Sequence, residues 1–409
     1  GGHASAAQTE LVASTQQHAA AADGHATEEH GSPWMKRIKT SLWMNNVFFA
    51  GLGIIGLFFV AIQYAAQAGW SVGVKRVAMA MGTWIPIAGI LMLILWVFAG
   101  HDIFHWTHDN LYGEKLASGA ANPTYDPIIS KKAPFFFWPL EGGKFPIFFL
   151  FRMVLFFGGW YWFFIMIRKN MEAEDLENST SFWKKNVVLS TVFLIFFGIS
   201  SSIAAWDWVM SIDTHWFSTM FGWYVFASWW VTGLAVITLI VVFLKDAGYL
   251  KIVNANHLHD LGKFIFAFSI FWTYIWFSQF LLIYYAHIPE ETIYFFERMK
   301  TSPYSWIFYA NLILNFVLPL LLLMTRDAKR QMSMLKLICP IVIVGHWFDF
   351  FNMVTPGVMQ LNGGLGFIEI GIAFIFGAAF LLVVLSSLTK LPLFGKNDPM
   401  LQESLHHHI

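Results

Sequence analysis

Nine apolar stretches, each long enough to cross a bilayer, leave this sequence almost no other architecture. They cover residues 47–66, 77–99, 145–167, 187–206, 216–244, 264–286, 306–324, 337–354 and 366–388. A membrane-crossing helix needs about 20 mostly apolar residues, because in hydrocarbon every backbone N–H and C=O must find its partner within the segment. Strands are not needed anywhere. The sequence therefore predicts an all-α, polytopic integral membrane protein with nine transmembrane helices. Composition agrees, since 57% hydrophobic and 12% charged residues would cover a soluble protein in apolar surface. The aromatic content of 18% suits interfacial belts and also the wall of a site for a flat, greasy ligand.

Three regions emerge from the same pattern. Residues 1–35 are rich in Ala, His, Gln and Thr and are expected to be disordered, because they offer nothing to bury. Residues 36–390 form the transmembrane domain, and 391–409 a tail whose His406, His407 and His408 are read as lying outside function. Loop Lys and Arg number nine on the side of the N-terminal segment and fifteen on the other, with Arg152 inside a span. The positive-inside rule then places residues 1–46 in the periplasm and the C-terminus in the cytoplasm of a bacterial inner membrane.

Charge and cysteine content narrow the chemistry. Zero net charge and a pI near 7.4 give no sign of a nucleic-acid partner. The single cysteine, Cys339, excludes a disulfide framework and a Cys-ligated zinc or iron–sulfur site held by this chain alone. An electron carrier would have to lie in a partner subunit.

Ionisable groups at membrane depth cost about 2.5–3.5 kcal/mol each on insertion scales, so each one asks for a partner or a purpose. The candidates are Arg152, Asp207, His287, His346, Asp349 and Glu369, with His101 and Asp102 at a helix end. In the orientation above all of them fall toward the periplasmic ends of their helices. His346 and Asp349 in Gly345-His346-Trp347-Phe348-Asp349 share a helical face, where the carboxylate can orient the imidazole and the pair can pass a proton. The bland alternative is a buried His–Asp contact that locks two helices. Asp207, His287, His346 and Asp349 are the candidate proton-transfer residues. Arg152 and Glu369 are expected to be mutual counter-ions, and Asp213 to cap the fifth span.

The sixth span is bounded by His259, Asp260 and Lys263 at one end and by Tyr284, His287, Glu290 and Glu291 at the other. Ser269, Thr273, Tyr274, Ser278 and Gln279 form an incomplete polar stripe between them, able to carry water or simply to bond neighbouring helices. These groups, with Arg152 and Glu369, make up a candidate quinone or proton path. His101, His105 and His108 share a face of what reads as an amphipathic surface helix, and no metal site is assigned to them.

Three stretches carry a resemblance. They are Ala205-Trp206-Asp207-Trp208-Val209-Met210-Ser211-Ile212-Asp213-Thr214-His215-Trp216, then His259-Asp260-Leu261-Gly262-Lys263 leading to Trp276-Phe277-Ser278-Gln279-Phe280 and Ile288-Pro289-Glu290-Glu291-Thr292, and finally Gly345-His346-Trp347-Phe348-Asp349-Phe350-Phe351. From about Trp34 to Lys390 the chain resembles the ActF membrane subunits of bacterial alternative complex III, in the NrfD-like, polysulfide-reductase-like family. The resemblance implies two four-helix bundles and a tenth helix upstream of the nine. It also implies a place in a respiratory complex that oxidises quinol and passes electrons to cytochrome c or to a cytochrome oxidase. Haems and iron–sulfur clusters would belong to partner subunits: an ActC-like sibling, an iron–sulfur subunit and cytochrome c subunits. No cofactor is assigned to this chain itself, quinone or quinol being the candidate ligand and lipid the other contact. The competing readings are a scaffold or proton-path subunit that binds no quinone, a b-type cytochrome using His287 and His346 as axial ligands, and a secondary transporter.

Overall fold

The computed structural model describes residues 33–115, 119–177 and 179–408. Most of the segment 1–35 lies outside the described residues, and its last three, from Pro33, already belong to a helix. Among the described residues nine helices are long and apolar enough to cross a membrane, and no strand occurs. The chain is an all-α, multi-pass membrane protein.

The spans are α1 (Pro33–Ala65), α2 (Gly69–Ile103), α4 (Ile147–Leu176), α5 (Thr180–Trp208), α6 (Phe221–Asp246), α7 (Ala255–Ala286), α9 (Ser305–Leu322), α10 (Met332–Met359) and α11 (Phe367–Leu388). Two shorter helices lie between them, α3 (Pro127–Phe137) and α8 (Pro289–Lys300). The helices α1, α2, α4 and α5 close a first four-helix bundle, and α6, α7, α9 and α10 close a second. Both meet along α1, which touches α6 and α10 as well as its own bundle, while α11 packs on the outside of α1. The end of the molecule at which α1 begins is its first face, and the opposite end is its second face.

Burial explains this arrangement. In α4 the buried positions recur every three or four residues, Phe149, Arg152, Met153, Phe156, Phe157, Trp160, Phe163, Phe164 and Ile167, so one face looks inward and the other toward lipid. In α1 nearly every residue from Thr40 to Tyr64 is buried, which only a central helix can achieve. Polar side chains on α1 serve as ties: Asn46 donates to Ala88 O at 3.1 Å, Trp43 to Trp208 O at 3.0 Å, and Asn45 accepts from Trp347 Nε1 at 2.9 Å. Hydrogen bonds inside a bilayer are worth about 0.6–2 kcal/mol each, so they fix register more than they drive association.

Helix ends obey local rules. Asn254 caps α7 by accepting from the Asn256 and His257 N–H groups, and His287 ends it in the left-handed region at φ +49°. The segment 101–108 is not the single amphipathic helix expected: α2 stops at Ile103, Phe104 is extended, and a 3₁₀ turn spans His105–Thr107. Phe104 is fully buried, and that anchoring takes precedence over helix continuation.

The segment 391–408, set apart as a tail in the sequence, is folded across the second face. Asp398 pairs with Lys75 at 2.6 Å, and Pro392 O accepts from Arg76 at 3.1 Å. Asn397 donates to Glu174 O and Asp175 O at the end of α4. Beyond it, Ser404 lies 3.1 Å from His257 Nε2, and His407 lies 2.6 Å from Asp260. The strap therefore joins the second-face ends of both bundles.

Candidate functional site

The second bundle has a polar interior around Asp349 of α10. Asp349 is fully buried and takes donors from three other helices: Tyr224 OH of α6, Asn311 Nδ2 of α9 at 2.8 Å and Trp272 Nε1 of α7 at 2.9 Å. Its only basic neighbour at ion-pair distance among the described residues is His346, 3.9 Å away on the same helix face. That separation is too long for the direct orienting hydrogen bond expected from the spacing. Instead His346 Nδ1 lies 3.0 Å from Ser228 Oγ, and its Nε2 has no partner among the described residues. A buried, unmatched ring nitrogen is uncommon and calls for a functional or solvent explanation.

Local backbone geometry builds this cluster. Over Ile313–Val317 helix α9 widens into a π turn, a feature common at functional sites. Across it, Asn315 donates to Asn311 at 2.5 Å, and Asn311 donates on to Asp349. Gly345 allows the approach of α10, because a Cβ there would sit 2.2 Å from Asn315 Oδ1.

Between Asp349 and the first face lies a cavity of about 20 Å³, bordered half by apolar and aromatic side chains and half by Tyr224, Gln279, Tyr294, Arg298, Asn311 and Asn352. One water needs about 10–15 Å³ and two to four polar partners. Both side-chain polar atoms of Asn352 lack a partner there among the described residues. At the mouth Arg298, 2% exposed, donates to Asp213 at 2.8 Å, to Asn352 O at 2.7 Å and to Tyr294 O at 2.9 Å, with its guanidinium over the Tyr294 ring. Burial raises the Asp213 carboxyl above its ordinary pKa, and Arg298 offsets part of the rise. Glu297, beside Arg298, is pushed up to about 7 by burial, with Asp213 adding to the rise and Arg298 opposing it. Toward the second face α10 and α7 bury mainly apolar side chains, Val342, Cys339, Ile338, Leu335, Ile265 and Leu261.

The other sequence candidates are placed differently. Arg152 does not pair with Glu369. It makes a bidentate pair with Asp207 in the first bundle, Nε–Oδ2 2.7 Å and Nη2–Oδ1 2.6 Å, between the rings of Phe135 and Phe148. Glu369 pairs with Arg37 at 2.8 and 2.9 Å and accepts from the Gly366 N–H. Asp213 caps nothing; α6 begins eight residues later, and Asp213 is the counter-ion of Arg298. His287, Tyr284 and Glu290 are exposed and outside the cluster. With His287 on the surface and His346 fully buried, the two do not form an axial pair for haem. His259, Asp260 and Lys263 lie at the second face, where Asp260 binds both Lys263 and His407 at 2.6 Å. The polar stripe of α7 is interrupted: Ser269 and Gln279 face inward, while Tyr274 is 64% exposed. No group of three or more His, Cys, Asp or Glu among the described residues is arranged to hold a metal.

Arg298, Tyr224, Trp272, Asn311 and Asn352 went unread in the sequence. Arg298 looked like one more loop cation, and its helix position four residues after Tyr294 was the available signal. No protein-family model matches this sequence, and no curated protein matches it.

Proposed function

We propose that this chain is a membrane subunit of a quinol-oxidising respiratory complex of the alternative complex III type, and that its second bundle carries protons between the first face and His346. The observation that carries the reading is Asp349: a buried carboxylate ringed by neutral donors, with a conditionally charged imidazole as the base beside it. A permanent structural ion would be matched by Arg or Lys. Tyr, Trp and Asn donate hydrogen bonds without adding charge, so the countercharge beside Asp349 depends on whether His346 carries a proton. Glu297, poised near 7, supplies the exchange with water, the Asn352 cavity supplies a water position, and the series Tyr224–Asp349–His346 supplies the inner steps. The first face is the periplasmic one by the Lys and Arg balance. Family placement rests on the sequence resemblance, and electrons travel through cofactors of partner subunits.

The test is Asp349→Asn, with assembled yield and quinol-dependent turnover per assembled complex measured in one preparation. Loss of a positioned acid–base group lowers turnover about 100-fold or more with assembly kept. Full turnover per complex sinks the proton-path reading and leaves a scaffold. Exposed His287→Ala, outside the cluster, is the control and leaves turnover unchanged.

A further inference from the structure

Where α2, α4 and α11 end at the second face, they leave a shallow, partly open cleft of about 20 Å³, much the same size as the cavity beside Asn352. Arg76, Arg168 and Ser387 line it together with an apolar floor of Met79, Leu388 and Leu391. We propose that this cleft binds the phosphate of an anionic phospholipid, its acyl chains descending along α11. The site is separate from the second bundle and independent of the proton-path reading.

Arg76 is 7% exposed. It engages Asp175 at 2.7 Å, Pro392 O at 3.1 Å and Met171 O at 3.3 Å, yet its Nε has no acceptor among the described residues. Arg168 reaches the same cleft from α4, with Nε on Glu172 at 2.9 Å and Nη1 on Ser387 Oγ at 3.3 Å. Each guanidinium has one carboxylate, which fixes its plane, and Asp175 leaves the Nε edge of Arg76 unmatched. A planar guanidinium fork suits a tetrahedral oxyanion, and two of them on adjacent helices converge on one phosphate better than two ammonium groups would.

The apolar floor decides between a free ion and a lipid. A hydrated phosphate gains nothing from Met79, Leu388 and Leu391, whereas a phospholipid needs apolar surface directly below its charge. That surface continues outward on α11 through Leu385, Leu382 and Leu381, which are 46%, 70% and 46% exposed. Exposed Lys169 and Lys390 adjoin lining residues in sequence, and a zwitterionic headgroup, which brings its own cation, gains less from a cleft lined by two arginines. Basic pockets between helix ends on the Lys- and Arg-rich side of a membrane protein are the expected setting for anionic lipid.

The test uses the full chain, delipidated in detergent and titrated with phosphatidylglycerol, phosphatidylcholine or inorganic phosphate, with native mass spectrometry counting bound lipid. One phosphatidylglycerol should persist per chain, and Arg168→Gln should weaken it about fivefold or more, the weight of one basic residue at an anionic surface. Ser387→Ala, which removes only a hydroxyl beside Arg168, provides a second variant should Arg168→Gln fail to fold, and should weaken binding by a smaller factor. Equal retention of phosphatidylglycerol by wild type and the variant that folds overturns the proposal. So does equal retention of phosphatidylcholine, or competition by inorganic phosphate alone at millimolar level, which would make the cleft an ion site.

Discussion

Among the described residues each bundle holds one aspartate with no exposed surface, and the two treat it in opposite ways. In the first, Asp207 faces Arg152 through two short bonds, with aromatic rings on both sides of the guanidinium. Arginine does not lose its proton in a protein, so this carboxylate is matched for good and the pair behaves as a lock. In the second, Asp349 is held by a phenol, an indole and an amide, and the basic group beside it is an imidazole whose charge is optional. The same residue type at the same burial is matched by a permanent cation in one bundle and by neutral donors with an optional cation in the other. What separates them is the partner, not the depth.

The largest expected effect comes from breaking the lock. Arg152→Ala leaves Asp207 buried without its cation, which costs about 3–5 kcal/mol, and little assembled protein should be recovered from membranes. Replacing both partners, Arg152→Met with Asp207→Leu, should restore most of the yield, because an apolar pair of similar volume is often neutral or better. The matching change in the other bundle, Asp349→Asn, should keep yield and lose turnover, which is the contrast at its sharpest. A smaller effect is expected for Tyr224→Phe. It removes one of three donors to Asp349, and a hydrogen bond to a charged group is worth about 1.5–3 kcal/mol, read as a lowered unfolding temperature alongside slower turnover. The smallest is Glu297→Gln. Because the folded pKa of Glu297, about 7, lies above its ordinary 4.5, its contribution to stability is present below about pH 4.5 and is lost as pH rises through 7. Melting curves at pH 5 and pH 8 should differ less in Glu297→Gln than in wild type.

Much of the fold was legible in advance because the bilayer imposes a length and a composition on each span. All nine spans appear, although α7 begins nine residues earlier than its apolar stretch and α6 five residues later. Those shifts arise where capping decides the end, as at Asn254, or where a turn is held by side chains, as at Asp213. Pairings across the structure were not legible. Arg152 faces Asp207 across 55 positions and Glu369 faces Arg37 across 332, and charge alone could not choose between them. The donors around Asp349 were hidden for another reason: Tyr, Trp and Asn occur throughout this chain, and only the bundle geometry selects Tyr224, Trp272 and Asn311.

The strap over the second face bears on the order in which the molecule is made. Lys75, Arg76 and Asp175 belong to helices synthesised early, yet their partners Pro392, Asn397 and Asp398 come after the ninth span. Until translation passes residue 398, Lys75 must wait for its carboxylate next to an aqueous surface, beside the ring of Tyr64. The first bundle can therefore insert, pack and form pairs such as Arg76–Asp175 and Arg152–Asp207 during synthesis, but the Lys75–Asp398 pair closes only afterwards. A nascent chain halted between the ninth span and residue 398 would present both bundles with their second-face ends still unfastened.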